Sequence, residues 1–534
     1  MVYITMKTLP TGLSKPLPNV LAAQQHQGGK PTVKTLAETQ SICPECGAVL
    51  PAVYVQRENA VYFEKTCPEH GAFSVLAASD AARFAAFVVQ PVNVPPKRPL
   101  TESRQGCPYD CGPCENHLQT ACCVLLEVTQ RCNQRCTFCY ASSGGAAPPD
   151  PPLAAVLDWL RFLKAEGEAR PFNIQLSGGE PTVRDDLPDI VRAAVGMGFP
   201  YIQLNTNGRR LAAQPGYAQT LKDAGVSAVF LQFDSLRDDA CQALRGEALL
   251  AEKRGAIEAC RAARLPVALV PTVVAGVNDG EVGALVRFAI ENIDVVKGVH
   301  FQPVSYMGRH PGAQSRVNMF DLADALEAQT DGLVKAAELA PIVTGHGLCC
   351  FTGAYTLQDD GTLASVRQAG VPASCCEVDF GAGCDEEDAG CCGSEPPPCC
   401  EGAGADCCTG ETSGCCDTGE MANCCNDLNA LTVVEKDRDF VKNRWMVSGQ
   451  TDAGCCGNSL DAFLDDFRKR SLTLTAMHFQ DAWTVDLERV RRCRVQVFDD
   501  YKLIPFCTYN LTDAAGRPIY RGVQPKKQPA SATR

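Results

Sequence analysis

The sequence predicts an α/β protein built on a partial (β/α)6, TIM-like barrel, with a small zinc-ribbon or rubredoxin-like domain before it and a cysteine-bearing region after it. Three observations predict this. Apolar runs over 124–128, 172–176, 201–204, 228–233, 267–270 and 299–302 read as buried parallel strands, because strands covered on both faces are continuously apolar. Amphipathic stretches lie between them: 153–165, where Leu153, Val156, Leu157, Leu160 and Leu163 share one helical face, and 186–197 and 280–291. Cysteines recur at metal-ligand spacings ahead of, within and behind these units. Six βα units cannot close an eight-stranded barrel; they make an open one, with its ligand site at the carboxyl ends of the strands.

Taken in order, residues 1–38 are polar and rich in Pro, Gly and Gln, and read as a disordered or irregular leader. Over 39–80, Cys43 and Cys46 form one knuckle and Cys67 and His70 another. The alternating stretches 53–55 and 61–63 form a hairpin that brings the knuckles together around one mononuclear zinc or iron. Segment 81–123 carries a CxxxCxxC triad, Cys107, Cys111 and Cys114, with His117 and Cys122 close behind. The barrel occupies 124–310, and 311–370 holds a post-barrel helix and the pair Cys349 and Cys350. Over 371–458 the composition changes to Cys-Cys pairs spaced about eight residues apart among Gly, Asp, Glu, Ser and Pro. So few large apolar residues cannot offset the entropy of ordering, and this insert reads as disordered unless metal-loaded. Order resumes over 459–522, which carries Cys493 and Cys507, before a tail at 523–534.

The site chemistry centres on Cys132, Cys136 and Cys139, directly after the first barrel strand and followed by Tyr140. Three thiolates at this spacing ligate three corners of an iron–sulfur cubane and leave one iron open. The Cys107 triad competes for the same role, but only the later triad sits at the end of a strand that leads into alternating βα units. After the second strand come Gly178, Gly179, Glu180, Pro181 and Thr182, a turn without Cβ atoms that can bring its N–H and C=O groups close to a small polar ligand. Asn205 and Asn207 after the third strand offer amides suited to ribose hydroxyls or a carboxylate. Gln232 and Asp234, Thr272 with Gly276 and Asn278, and Gln302 stand at later strand ends. No side chain stands out as catalytic.

Cys132, Cys136 and Cys139, with GGEPT at 178–182, NTNG at 205–208 and the six βα units, resemble the radical S-adenosylmethionine (SAM) superfamily. Further stretches resemble a narrower group, the archaeal tetraether lipid synthases and related hydroxymethylpterin methylases: CPEC at 43–46, KTCPEHG at 65–71, CPYDCGPC at 107–114, LQFD at 231–234, VPT at 270–272, GVND at 276–279, FQPVS at 301–305, GR at 308–309 and LIPFCTYN at 503–510. The resemblance implies a [4Fe-4S] cluster that binds SAM, one or two auxiliary [4Fe-4S] clusters and an N-terminal mononuclear metal. One auxiliary cluster falls to the 107–114 motif and another to the C-terminal region. The 371–458 insert is not part of the pattern.

Function follows as an expectation: reductive cleavage of SAM to a 5′-deoxyadenosyl radical, used for C–H activation that leads to C–C bond formation or methylation of a small molecule or lipid. A reductant such as flavodoxin or ferredoxin would supply the electron. The rivals are a thiol-rich metal or metalloid binder on a radical SAM scaffold, because vicinal thiols suit soft ions, and a radical SAM enzyme that acts on a metalloid substrate. With 534 residues the chain is long enough for about two to four domains. Its net charge of −13 and lack of a basic block argue against nucleic acid. No stretch approaches the roughly 18 apolar residues of a membrane span, and without a signal-peptide pattern the protein reads as cytoplasmic.

Overall fold

The computed structural model describes residues 33–88, 93–167, 171–312, 315–342, 345–366 and 469–521. The 371–458 insert lies outside them, as do most of the leader and the tail. At the N-terminus β1 (Lys34–Ile42), β2 (Val49–Arg57), β3 (Ala60–Cys67) and β4 (Gly71–Ala78) form an antiparallel sheet in that order. β1 begins inside the stretch read as a leader. Lys34 and Thr35 pair with Gln56 and Val55, and the sheet's far end is tied to the C-terminal region: Thr39 Oγ1 donates to Asp486 at 2.6 Å and Ser41 Oγ to the Val485 carbonyl at 2.5 Å. A composition reading sees the polar residues here but not the distant partners they serve.

The barrel strands stand where the apolar runs place them: β5 (Cys123–Thr129), β6 (Asn173–Gly178), β7 (Ile202–Thr206), β8 (Ala228–Gln232), β9 (Val267–Val270), the short β10 (Thr272–Val273) and β11 (Val296–Pro303). Val124, Leu126, Ile174, Leu176, Leu204, Leu231, Leu269 and Val299 are completely buried, as continuous cover by the helices requires. Those helices include Leu153–Gly167, Leu187–Gly196 and Val282–Glu291.

Two parallel strands beyond the expected six extend the sheet. After β12 (Ala340–Pro341), β13 (Cys350–Leu357) and β14 (Leu363–Ser365), the C-terminal block returns as β15 (Ser471–Met477), parallel to β11, and β16 (Val495–Asp499), parallel to β5. Antiparallel β13 and β17 (Lys502–Pro505) flank them. The parallel order is therefore β16-β5-β6-β7-β8-β9-β11-β15, with β15 and β16 at opposite ends of an open sheet. Residues 478–494 connect these two edges and carry the helix Leu487–Arg491, capped by Asp486. The same Asp486 carboxylate accepts from Tyr54 of β2 at 3.0 Å, so the ribbon sheet and this crossing segment are one packed unit.

Candidate functional site

At the N-terminal knuckles, the ligand atoms of Cys43, Cys46, Cys67 and His70 all lie within 4.8 Å of one another. Cys67 Sγ is 3.5 Å from His70 Nδ1, Cys43 Sγ 3.7 Å from the same nitrogen, and Cys46 Sγ 3.9 Å from Cys67 Sγ. Those separations match four donors on one tetrahedral ion, whose metal–sulfur bonds of about 2.3 Å put the ligands roughly 4 Å apart. The hydrogen bond from His70 holds the Cys67 thiol down to about 6. Four donors with no fifth position are the arrangement of a structural rather than a catalytic metal site, with Cys43 and Cys67 buried and Cys46 and His70 exposed. Lys65, two residues before Cys67, donates to Ser41 Oγ at 2.9 Å and to the Ala482 carbonyl at 2.7 Å, so β3 carries the knuckle and grips the crossing segment together. Substituting Cys46 by Ala is expected to remove the metal and to speed proteolysis near the β2–β3 turn at Glu58. It should also raise hydrogen exchange at 482–486; unchanged exchange there would show that the ribbon does not support the crossing segment.

The principal cavity has a volume of about 390 Å³, within the range of small-molecule sites, and opens among the carboxyl ends of the barrel strands. Cys132, Cys136 and Cys139 line one side. The loop that carries them is fixed by its backbone: Cys139 exchanges two 2.9 Å hydrogen bonds with Arg309, and the Arg309 guanidinium donates to the carbonyls of Cys136 at 2.7 Å, Ser142 at 3.2 Å and Ser143 at 2.8 Å. Arg245 donates to the Phe138 carbonyl at 2.9 Å, and Arg209 to that of Asn133 at 3.1 Å. Gly308 makes the Arg309 approach possible, because a Cβ there would stand 2.4 Å from the Tyr140 carbonyl oxygen at φ +59°. Burial pushes the Cys132 thiol up to about 12 and raises Cys136. Three thiols grouped on one loop at the edge of a cavity are a donor set suited to a metal cluster, and binding one would release their protons.

The glycines of this turn also answer a packing demand. A Cβ on Gly178 would lie 2.1 Å from the Thr129 carbonyl oxygen, and one on Gly179 2.2 Å from that of Arg131. The missing side chains let the turn pack directly on the strand that launches the cysteine loop. Both glycines and Glu180 also line the cavity. Glu180 is buried and accepts from Thr182 N at 3.0 Å, Thr182 Oγ1 at 2.6 Å, Thr206 Oγ1 at 2.7 Å and Asn207 N at 2.6 Å. It therefore bolts the turn to the loop after β7, with Pro181 opening the short helix Pro181–Val183 behind it. Asn205, Asn207, Gln232 and Gln302 line the cavity.

Asp234, expected among the cofactor-binding residues, is engaged by protein groups. Its carboxylate forms a two-pronged buried pair with Arg245, Nε to Oδ2 at 2.8 Å and Nη2 to Oδ1 at 2.6 Å, and accepts from Thr272 N at 3.0 Å. Its place at a strand end was legible; Arg245, on the following helix Asp238–Arg245, was not. Buried Lys253 was also missed. It donates to the Asn207 carbonyl at 2.5 Å, and burial brings it down to about 8.

Across the cavity stands a second cysteine group. Cys122, Cys349, Cys350, Cys493 and Cys507 all line it. Cys349 and Cys507 lie within electrostatic reach of Cys493, and Arg489 donates to Cys349 Sγ at 3.4 Å from the crossing segment. Cys122 Sγ points to the Arg494 carbonyl at 3.5 Å, beside Cys493. The adjacent pair is resolved: Cys349 faces Cys493 and Cys507, whereas Cys350 Sγ is directed to the Phe351 carbonyl at 3.4 Å within β13. Burial pushes His346 and His478, which also line the cavity, down to about 3. Cys107, Cys111 and Cys114 surround a separate small hollow with His117 and Arg491.

An open parallel sheet whose first strand delivers three cysteines to a cavity at its carboxyl ends defines a class, and sequence comparison agrees. The profile of the Radical SAM superfamily matches residues 126–289, and that of the HMPTM N-terminal zinc ribbon domain matches 35–79. The chain belongs to the radical SAM superfamily, as an enzyme whose family cofactors are a [4Fe-4S] cluster and SAM. It is 32% identical over 479 residues, 89% of this chain and 93% of the relative, to the 7,8-dihydro-6-hydroxymethylpterin dimethyltransferase of Methanocaldococcus jannaschii. The GTP 3′,8-cyclase of Erythrobacter litoralis is 38% identical over 170 residues, 31% of this chain and 50% of that protein. Among solved structures, Streptococcus suis SuiB bound to S-adenosylmethionine aligns with 18% identity and a TM-score of 0.34, over 40% of this chain and 48% of that one. Among the described residues no helix is long and apolar enough to cross a membrane.

Proposed function

We propose that this enzyme activates a C–H bond on a small polar heterocycle of the pterin class and leaves a methyl group or new C–C bond there. The observation that carries this reading is the set of amide side chains, Gln175, Gln203, Asn205, Gln232 and Gln302, that lines the same cavity as the two cysteine groups. Amides present a donor and an acceptor side by side, the pattern that the edge of a pterin offers in return. Gln203 donates to Asn205 at 2.6 Å and Gln232 to Asp234 at 3.1 Å, so part of this set is satisfied within the protein, and an alkyl chain would offer the remaining donors and acceptors nothing. The methyltransferase name of the full-length relative points the same way.

Cys132, Cys136 and Cys139 would hold the [4Fe-4S] cluster, with the 178–180 turn, Asn205 and Asn207 around SAM. When bound, the reduced cluster and SAM together supply a 5′-deoxyadenosyl radical. Phe230, Met477 and Phe479 wall the cavity and exclude water from the reacting carbon. Cys349, Cys493 and Cys507, with Cys122 beside them, would hold one auxiliary cluster facing the same cavity, and Cys107, Cys111 and Cys114 another. A flavodoxin- or ferredoxin-type protein would supply electrons.

The test is isotopic. With 6-hydroxymethyl-7,8-dihydropterin deuterated at its carbon-bound positions, the anaerobically reconstituted enzyme should transfer deuterium into 5′-deoxyadenosine. Transfer from a deuterated acyl chain but none from the pterin would replace the heterocycle by a lipid.

A further inference from the structure

We propose that His117 is the fourth ligand of the cluster held by Cys107, Cys111 and Cys114, which would make that site three thiolates and one imidazole. The inference rests on the auxiliary-cluster reading above and assigns the position which the triad leaves open.

The hollow bounded by the three cysteines is completed by Gly112, Pro113, Asn116, His117, Val490, Arg491 and Pro505. Of the side chains in that wall other than the cysteines, His117 alone offers a lone pair suited to iron. An amide is a poor iron ligand, and a guanidinium has no acceptor at all. His117 is 5% exposed, and its backbone N–H donates to the Cys114 carbonyl at 3.0 Å, which sets the ring directly after the third cysteine.

The other edge of the ring is already committed. Nε2 lies 3.0 Å from the Cys493 carbonyl oxygen, a group that only accepts, so Nε2 carries the proton and Nδ1 keeps its lone pair. Gln496 Nε2 donates to the same Cys493 carbonyl at 3.3 Å, so this oxygen is fixed in place beside the ring. A ring N–H held by a backbone carbonyl, with the opposite nitrogen available, is the usual support of a metal-bound histidine. That support comes from Cys493, placed above in the second auxiliary site, so one imidazole would join the two sites.

Cys122, the alternative by sequence, is placed elsewhere: its thiol points to the Arg494 carbonyl and lines the principal cavity.

The test uses SAM-free holoenzyme labelled with 15N only in histidine, dithionite-reduced and examined by pulsed electron paramagnetic resonance, with total iron measured in parallel. A strong histidine 15N hyperfine coupling is expected in the wild type. In His117→Cys the coupling should vanish with iron retained, and one midpoint potential should fall, because an anionic thiolate replaces a neutral imidazole. A wild type without the coupling overturns the ligand assignment, and needs no variant to fold. So does a coupling that survives His117→Cys. The Cys107→Ala/Cys111→Ala/Cys114→Ala protein separates the two readings: a loss of one cluster's iron upholds the site even where histidine fails, whereas unchanged iron removes the cluster and the inference with it.

Discussion

Replacing Cys136 by Ala is expected to reduce 5′-deoxyadenosine formation to background, the largest functional effect any single substitution in this chain should have. The residue is one of only three thiols on the loop after β5, and a cubane held by two of them loses the geometry that leaves a single iron open to SAM. The loop itself should survive the change. Its backbone is held by Arg309 and Arg245 through carbonyls, including that of Cys136, and these bonds do not depend on the thiol. Folding measured by circular dichroism should therefore match the wild type while SAM cleavage is lost. Cleavage retained in the Cys136→Ala protein would remove this triad from the chemistry.

Arg245→Met is expected to destabilise the barrel by about 3–5 kcal/mol, because it strands the Asp234 carboxylate in the interior without its partner. Asp234 and Arg245 side chains are only 1% and 8% exposed, so solvent cannot replace the lost pairing. The same change frees the Phe138 carbonyl and Thr272 Oγ1, both of which accept from Arg245. Native-state hydrogen exchange at β8 and β9 would read the loss, and Asp234→Asn combined with Arg245→Met should recover part of it by removing the stranded charge. Exchange rates equal to wild type in the single variant would mean that the pair contributes nothing to the stability of the barrel at β8 and β9.

The difference between what the sequence disclosed and what it concealed is one of range. β5 to β11 were legible because burial on both faces leaves a continuous apolar run, a signal contained in each segment. The knuckle ligands Cys43, Cys46, Cys67 and His70 were legible because two short spacings define the two halves of a tetrahedron. β15 and β16 were not assigned to the barrel: nothing within Ser471–Met477 or Val495–Asp499 names β11 or β5 as its neighbour. The Arg245 partner of Asp234 was hidden for the same reason, since a carboxylate at a strand end looks alike whether it faces a ligand or an arginine. Gly178 and Gly179 were found for a partly different reason, because close packing on Thr129 and Arg131 and close approach to a ligand demand the same missing Cβ. Cys349 and Cys350 were inseparable by spacing and are separated by the strand they border, which directs one towards Cys493 and the other towards its own β13 backbone.

The central claim is that Cys132, Cys136 and Cys139, rather than the equally spaced Cys107, Cys111 and Cys114, hold the cluster that meets SAM. The most direct measurement is the paramagnetic resonance spectrum of the reduced protein with and without SAM, in the two triple-alanine variants. The signal that shifts on adding SAM should persist when Cys107, Cys111 and Cys114 are replaced and disappear when Cys132, Cys136 and Cys139 are replaced. The reverse pattern would show that the site on the far side of β17 is the catalytic one and would contradict the account.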